Sequence, residues 1–117
     1  MTSTASAQNP FHFTLEEGRK SPIVAGQRSA QLFRHGSMKL RYYAPKGVDE
    51  QTPHQQDEVY VVVSGEGRFQ NGTEFHPFQT GDVLFVPAGR EHRFLEFSAD
   101  FATWVIFYGP AGGEAAS

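Results

Sequence analysis

The chain contains no cysteine, so neither a disulfide framework nor a thiolate metal site is open to it. It carries no run of Lys or Arg, and its net charge of −3 argues against a nucleic-acid partner. No apolar run approaches the roughly 20 residues needed to cross a bilayer. The first ten residues, MTSTASAQNP, have neither a basic segment nor an apolar one, so no signal peptide and no membrane partner are expected. The default is a cytoplasmic protein. Helical patterning is scarce too. Only Thr14-Leu15-Glu16-Glu17 has the capping-box spacing, and Gly18 and Pro22 leave room for at most one short N-terminal helix.

What is present is aromatic and turn-rich. Among 117 residues there are 11 Phe, 4 Tyr and 1 Trp, with 12 Gly and 7 Pro, a mixture that suits many short strands joined by tight turns. The length fits one domain with a single core. Residues 1–10 and 109–117 are small, polar or Gly/Ala-rich and are expected to be flexible, which leaves 11–108 as the folded unit.

Extended segments are expected at Ile23–Ala25 and Ala30–Arg34. Met38 to Ala44 alternates, with Met38, Leu40 and Tyr42 on one face and Lys39, Arg41 and Tyr43 on the other. Lys46 to Gln51 reads as a polar loop. Val59 to Val63 is apolar on both faces, as in a strand covered on two sides. Asn71-Gly72 is the strongest hairpin signal, with type I′ expected. Val83–Val86, His92–Phe97 and Phe101–Tyr108 complete nine or ten short strands, the pattern of an all-β sandwich or barrel.

Two stretches carry the chemistry. Thr52 to Gly65 reads TPHQQDEVYVVVSG and sets His54 four residues before Glu58; Gly81 to His92 reads GDVLFVPAGREH and delivers a second histidine after a Pro/Gly turn. Two imidazoles and one carboxylate with other positions open is the pattern of a divalent transition-metal site. Each histidine also has a plainer reading as a hydrogen-bonded strand residue, and Glu58 as a solvated carboxylate with Asp57 at the surface. His12, His35 and His76 read as ordinary turn or surface residues.

These stretches resemble the paired motifs of the cupin superfamily. In the first motif His54, Glu58 and Gly65 match in register; in the second Gly81, Pro87, Gly89 and His92 match. The likeness covers residues 38–108. It implies a jelly-roll barrel (a double-stranded β-helix of the small single-domain, conserved-barrel type) and a metal held by His54, Glu58 and His92. The family's first histidine falls on Thr52, with the spacing from Gly47 one residue short, and its final asparagine falls on Glu96.

Regular alternation would put Thr52, His54, Gln56 and Glu58 on one face, with Tyr60 following them and Phe94 and Glu96 following His92. Either Phe101/Thr103/Val105/Phe107 or Ala102/Trp104/Ile106/Tyr108 faces inward. Thr52, Gln56, Tyr60, Phe94, Glu96 and Trp104 are therefore the candidates for the pocket or its supporting shell. The expected cofactor is Fe, Mn, Zn or Ni, with Glu58 as a candidate base. The expected function is a metal-dependent, oxygenase- or isomerase-like enzyme acting on a small oxygen-containing molecule. The alternative is a non-catalytic barrel that binds or senses a small ligand, with or without metal. A homodimer is expected, as is common in the family, with the two barrels packing their outer sheets or exchanging N-terminal strands. The arginines, including Arg34 and Arg41, are scattered and show no phosphate-cradling pattern.

Overall fold

The fold is described for residues 11–115 of a computed structural model. The flexibility expected for residues 1–10, and for the last two residues, lies outside them. Helix α1 (Leu15–Lys20) starts where the capping box places it. Thr14 Oγ1 accepts from the Glu17 N–H at 3.1 Å, and the Glu17 carboxylate accepts from the Thr14 N–H at 2.7 Å. The helix passes through Gly18 and ends at Lys20, before Pro22.

Eight strands follow among the described residues: β1 (Ala30–His35), β2 (Met38–Tyr43), β3 (Asp57–Ser64), β4 (Glu66–Asn71), β5 (Glu74–Gln79), β6 (Val83–Val86), β7 (His92–Leu95) and β8 (Ala102–Tyr108). They form an antiparallel five-stranded sheet in the order β1-β2-β8-β3-β6 and a three-stranded sheet β5-β4-β7. The expected all-β jelly roll with one short helix is what is observed. Its two sheets remain separate ladders.

Two local expectations fail. Ile23–Ala25 forms no strand, and Ile23 and Val24 stay exposed without a partner strand. At the β4–β5 hairpin Asn71 pairs with Glu74, so the loop is Gly72-Thr73. Gly72 has φ 65° and Thr73 is not at positive φ, the signature of a type II′ turn rather than type I′.

The register decides which side of β8 faces inward. Thr103, Val105 and Phe107 lie opposite Tyr43, Arg41 and Lys39 of β2 and opposite Val62, Tyr60 and Glu58 of β3. These form the inner face. The core beneath is aromatic: Phe94 packs on Tyr60, Phe69, Phe78 and Phe101 with ring centroids 4.6–5.3 Å apart. Gly65 (φ 91°) carries the chain from one sheet to the other, where a Cβ would meet Phe101 Cα at 2.6 Å.

The segment after β8 also departs from its composition. Gly112 N–H donates to the Gln55 carbonyl at 2.7 Å, and Glu114 N–H donates to Asp57 Oδ2 at 2.8 Å. The Asp57 carboxylate also accepts from Ala88 N–H at 2.8 Å. These backbone donors hold its pKa below the usual carboxylate range, and it is buried rather than at the surface.

α1 covers the outer face of the five-stranded sheet through Gly18. A Cβ there would lie 2.7 Å from Tyr42 Cδ1 and 3.2 Å from Trp104 Cη2. Gly18→Ala should therefore destabilise the protein by about 1–2 kcal/mol despite alanine's better helix propensity, because the tyrosine ring cannot simply swing aside. Thermal unfolding should show a midpoint several degrees lower; an equal or higher midpoint would contradict this packing.

Candidate metal centre

Two strands and one irregular segment build the site. Glu58 and Tyr60 project inward from β3, and His92 does so from the start of β7 in the opposite sheet. His54 precedes β3, after Pro53, in a stretch that is not a strand. The two motif segments are stitched together by backbone, since Gly89 N–H donates to the His54 carbonyl at 2.7 Å. The Pro87–Gly89 turn thus fixes His54 as well as aiming His92.

The three side chains converge. Glu58 Oε1 lies 3.0 Å from His92 Nε2 and 3.9 Å from His54 Nε2, and all three ligand atoms fall within 4.8 Å of one another. Glu58 and His92 are each only 1% exposed, whereas His54 is partly open. His92 Nδ1 lies 2.9 Å from the Arg90 carbonyl, which can only accept, so the neutral ring carries its proton there and turns the Nε2 lone pair inward. Burial works against a charged His92, but the Glu58 carboxylate more than offsets it and raises the pKa. For His54, burial prevails over Glu58 and the pKa is lowered.

A fourth atom belongs to this cluster. Gln51 Oε1 lies 3.2 Å from both His54 Nε2 and His92 Nε2 and accepts from the Tyr60 hydroxyl at 3.1 Å. Its orientation is fixed because Gln51 Nε2 donates to Asp49 Oδ2 at 2.7 Å, and a carboxylate can only accept. Asp49 is buried and also accepts from the Tyr43 hydroxyl, Gln51 N–H and Phe94 N–H. Burial first, and then Asp49, pushes the Tyr43 phenol well up; burial and the Glu58 charge do the same for Tyr60. Both tyrosines remain hydrogen-bond donors. The polar loop expected at Lys46–Gln51 therefore contains two buried supports of the site.

The remaining candidates spread out. Thr52 is exposed beside the cavity, and the position nearest both histidines belongs to Gln51. The Gln56 amide is turned away, donating to the Ser37 and Gly109 carbonyls at 2.8 and 2.9 Å. Tyr60 reaches the centre through Gln51. Phe94 is a core residue behind it. Trp104 lies on the outer face of the sheet, edge-on to Tyr42 at 5.5 Å between centroids. Glu96 follows the end of β7 at φ 51°, so alternation stops and its exposed carboxylate faces Arg68 at 3.6 Å.

The donor set suits a divalent cation. Four donors at about 2.0–2.2 Å from one ion would lie roughly 3–3.6 Å apart, close to the spacings among Gln51, His54, Glu58 and His92. Neither Glu58 oxygen finds a hydrogen-bond partner although both are buried. A carboxylate in that state is costly unless a positive charge faces it.

The sequence pattern of the cupin domain matches residues 39–107. The chain belongs to the cupin family. An uncharacterized protein of Streptomyces coelicolor is 40% identical to this cupin over 100 residues, covering 84% of this chain and 95% of the relative. A cupin 2 conserved barrel domain protein from Salinispora arenicola has a similar fold, with a TM-score of 0.65, 16% identity and coverage of 86% of this chain and 91% of that one. So does a Klebsiella pneumoniae protein with a double-stranded β-helix domain, with a TM-score of 0.64, 18% identity and coverage of 89% and 95%. No described helix of this cupin is long and apolar enough to cross a membrane.

The unpartnered carboxylate makes a stability prediction. Glu58→Gln removes the buried charge at nearly constant shape and should stabilise the metal-free protein by roughly 1–3 kcal/mol. Thermal melts in chelator should show a raised midpoint for the variant. A lowered midpoint would mean that the carboxylate is already compensated within the chain.

Proposed function

We propose that this cupin binds one divalent transition metal (Fe, Mn, Zn or Ni) and uses it to act on a small oxygen-containing molecule in an oxygenase- or isomerase-like reaction. His54, Glu58 and His92 hold the ion, with Gln51 Oε1 as a fourth donor in place of the family's first histidine. The observation that carries this reading is the pair of buried, unpartnered Glu58 oxygens facing two imidazole nitrogens. When bound, such an ion supplies Lewis-acid polarisation of a substrate oxygen.

The chain's own groups have separable tasks. Asp49 holds Gln51, and Tyr60 donates to the same amide oxygen. Val105 and Phe107 give the adjoining cavity an apolar wall. Glu58 is the carboxylate placed to take a proton, because Asp49 is saturated by donors. A cupin that binds its ligand without turnover is the second reading, favoured by the neutral amide at a position where the family has an imidazole.

Elemental analysis of protein purified from its natural host tests the centre. Near-stoichiometric transition metal is expected in the wild type, with a near-complete loss in the His54→Ala, His92→Ala double variant. Gln51→Leu should weaken metal affinity by about tenfold or more, read by competition with a chelating dye. Equal metal in wild type and double variant would end the metal reading. Metal-loaded protein that binds small molecules without turnover would favour the second.

We also propose that the protein is a homodimer packed through the outer face of the larger sheet. Val83 and Phe85 of edge strand β6 are 64% and 49% exposed, and Val59, Val61 and Ile106 continue the apolar surface across β3 and β8. No charge on β6 opposes a second copy of the same face. Phe85→Glu should convert a dimer to a monomer in light scattering with the fold retained; a monomeric wild type would rule the interface out.

A further inference from the structure

A cavity of about 600 Å³ opens beside His54 and Gln51. Its wall contains Arg28, Arg34, Lys39 and Arg41, four of the ten Lys and Arg in the chain, and none of the 13 acidic residues. In a protein of net charge −3 that is a local reversal of sign. Arg28 has a carboxylate neighbour in Glu50, at 3.4 Å. Arg34, Lys39 and Arg41 form no ion pair among the described residues, and the undescribed ones carry no acidic side chain.

The backbone concentrates these charges. Arg34 of β1 lies directly opposite Lys39 of β2, and Arg41 follows on the same face of β2. A bulge at Leu32 shifts the register between Gln31 and Phe33, and with it Arg34 turns to the face shared by Lys39 and Arg41. Like charges placed opposite each other weaken a strand pair unless something negative lies between them. Arg41 is held in place by neutral acceptors alone. Its nitrogens donate to Ser29 Oγ at 2.6 Å, Gln31 Oε1 at 2.8 Å, Gln27 Oε1 at 2.6 Å and the Ser29 carbonyl at 2.7 Å. Its position is fixed and its charge is left uncompensated.

We propose that this cavity binds a small organic carboxylate, with its anionic end between Arg34 and Lys39 and its body against Val105 and Phe107, so that its other end reaches the metal centre. The inference rests on the metal reading for the role of that far end only. A carboxylate is favoured over a phosphate because no glycine lines the cavity and α1 does not point into it, which removes the usual backbone cradle. The Arg41 charge supplies long-range attraction, while Arg34 and Lys39 keep donors free for the ligand.

The test uses matched acids and amides on the full chain: benzoate with benzamide, 4-hydroxybenzoate with 4-hydroxybenzamide, and phenylacetate with phenylacetamide. Calorimetry should show at least one acid binding roughly tenfold or more tighter than its amide, with a preference that fades as salt rises. Arg34→Gln with Lys39→Gln should abolish the preference, leave metal content unchanged and raise the ligand-free thermal midpoint by relieving repulsion. Acids that bind no better than amides, or a double variant that keeps the preference, would overturn the proposal. Metal content measured on the same samples separates the two readings. Acid preference in metal-free protein supports the anion site alone, whereas metal without acid preference sinks the anion site alone.

Discussion

A carboxyl group buried between two sheets needs a partner to face it, and much of this molecule can be understood from that requirement at Glu58. In the strand register Glu58 stands between Val86 and Phe107, and both its oxygens are shut off from water, with His92 Nε2 3.0 Å from one of them. The two imidazoles nearest to it cannot both supply charge near neutral pH, because burial opposes protonation of His54. Around this point the chain spends its strongest backbone devices. The Pro87–Gly89 turn is tied to His54, the Arg90 carbonyl sets the tautomer of His92, and Asp49 fixes the amide of Gln51. Rigid placement of neutral donors around one anion is the arrangement that a cation rewards.

The fold and three members of this cluster were legible in the sequence for a physical reason. Gly65, Gly81 and Gly89 all take positive φ at corners where the chain changes direction, so their spacing reports the architecture directly. His54, Glu58 and His92 stand at fixed offsets from those corners. Gln51 was hidden because it precedes Pro53 in a stretch without strand alternation, so counting every second residue selected Thr52 and Gln56 instead. The one-residue shortfall after Gly47 was the available sign that the segment was irregular.

Other misreadings have equally specific causes. Both faces of β8 are apolar, so periodicity could not assign Trp104 to the outside; only its opposition to Tyr42 does. For Glu96 alternation allowed an inward position beside the plainer exposed one, and the left-handed residue ends the alternation and leaves the carboxylate exposed. The basic wall was invisible because Arg34 and Lys39 become neighbours through a register that a single bulge resets. Scattered arginines in the sequence become one electropositive surface once the strands pair.

The docked segment after β8 gives the chain's far end a mechanical part in this arrangement. Glu114 N–H and Ala88 N–H share the carboxylate of Asp57, the residue beside Glu58. The last turn therefore works as a clasp across the seam between the two motif segments. Loosening that clasp would be felt by both motif segments at once, because Asp57 belongs to one and Ala88 to the other.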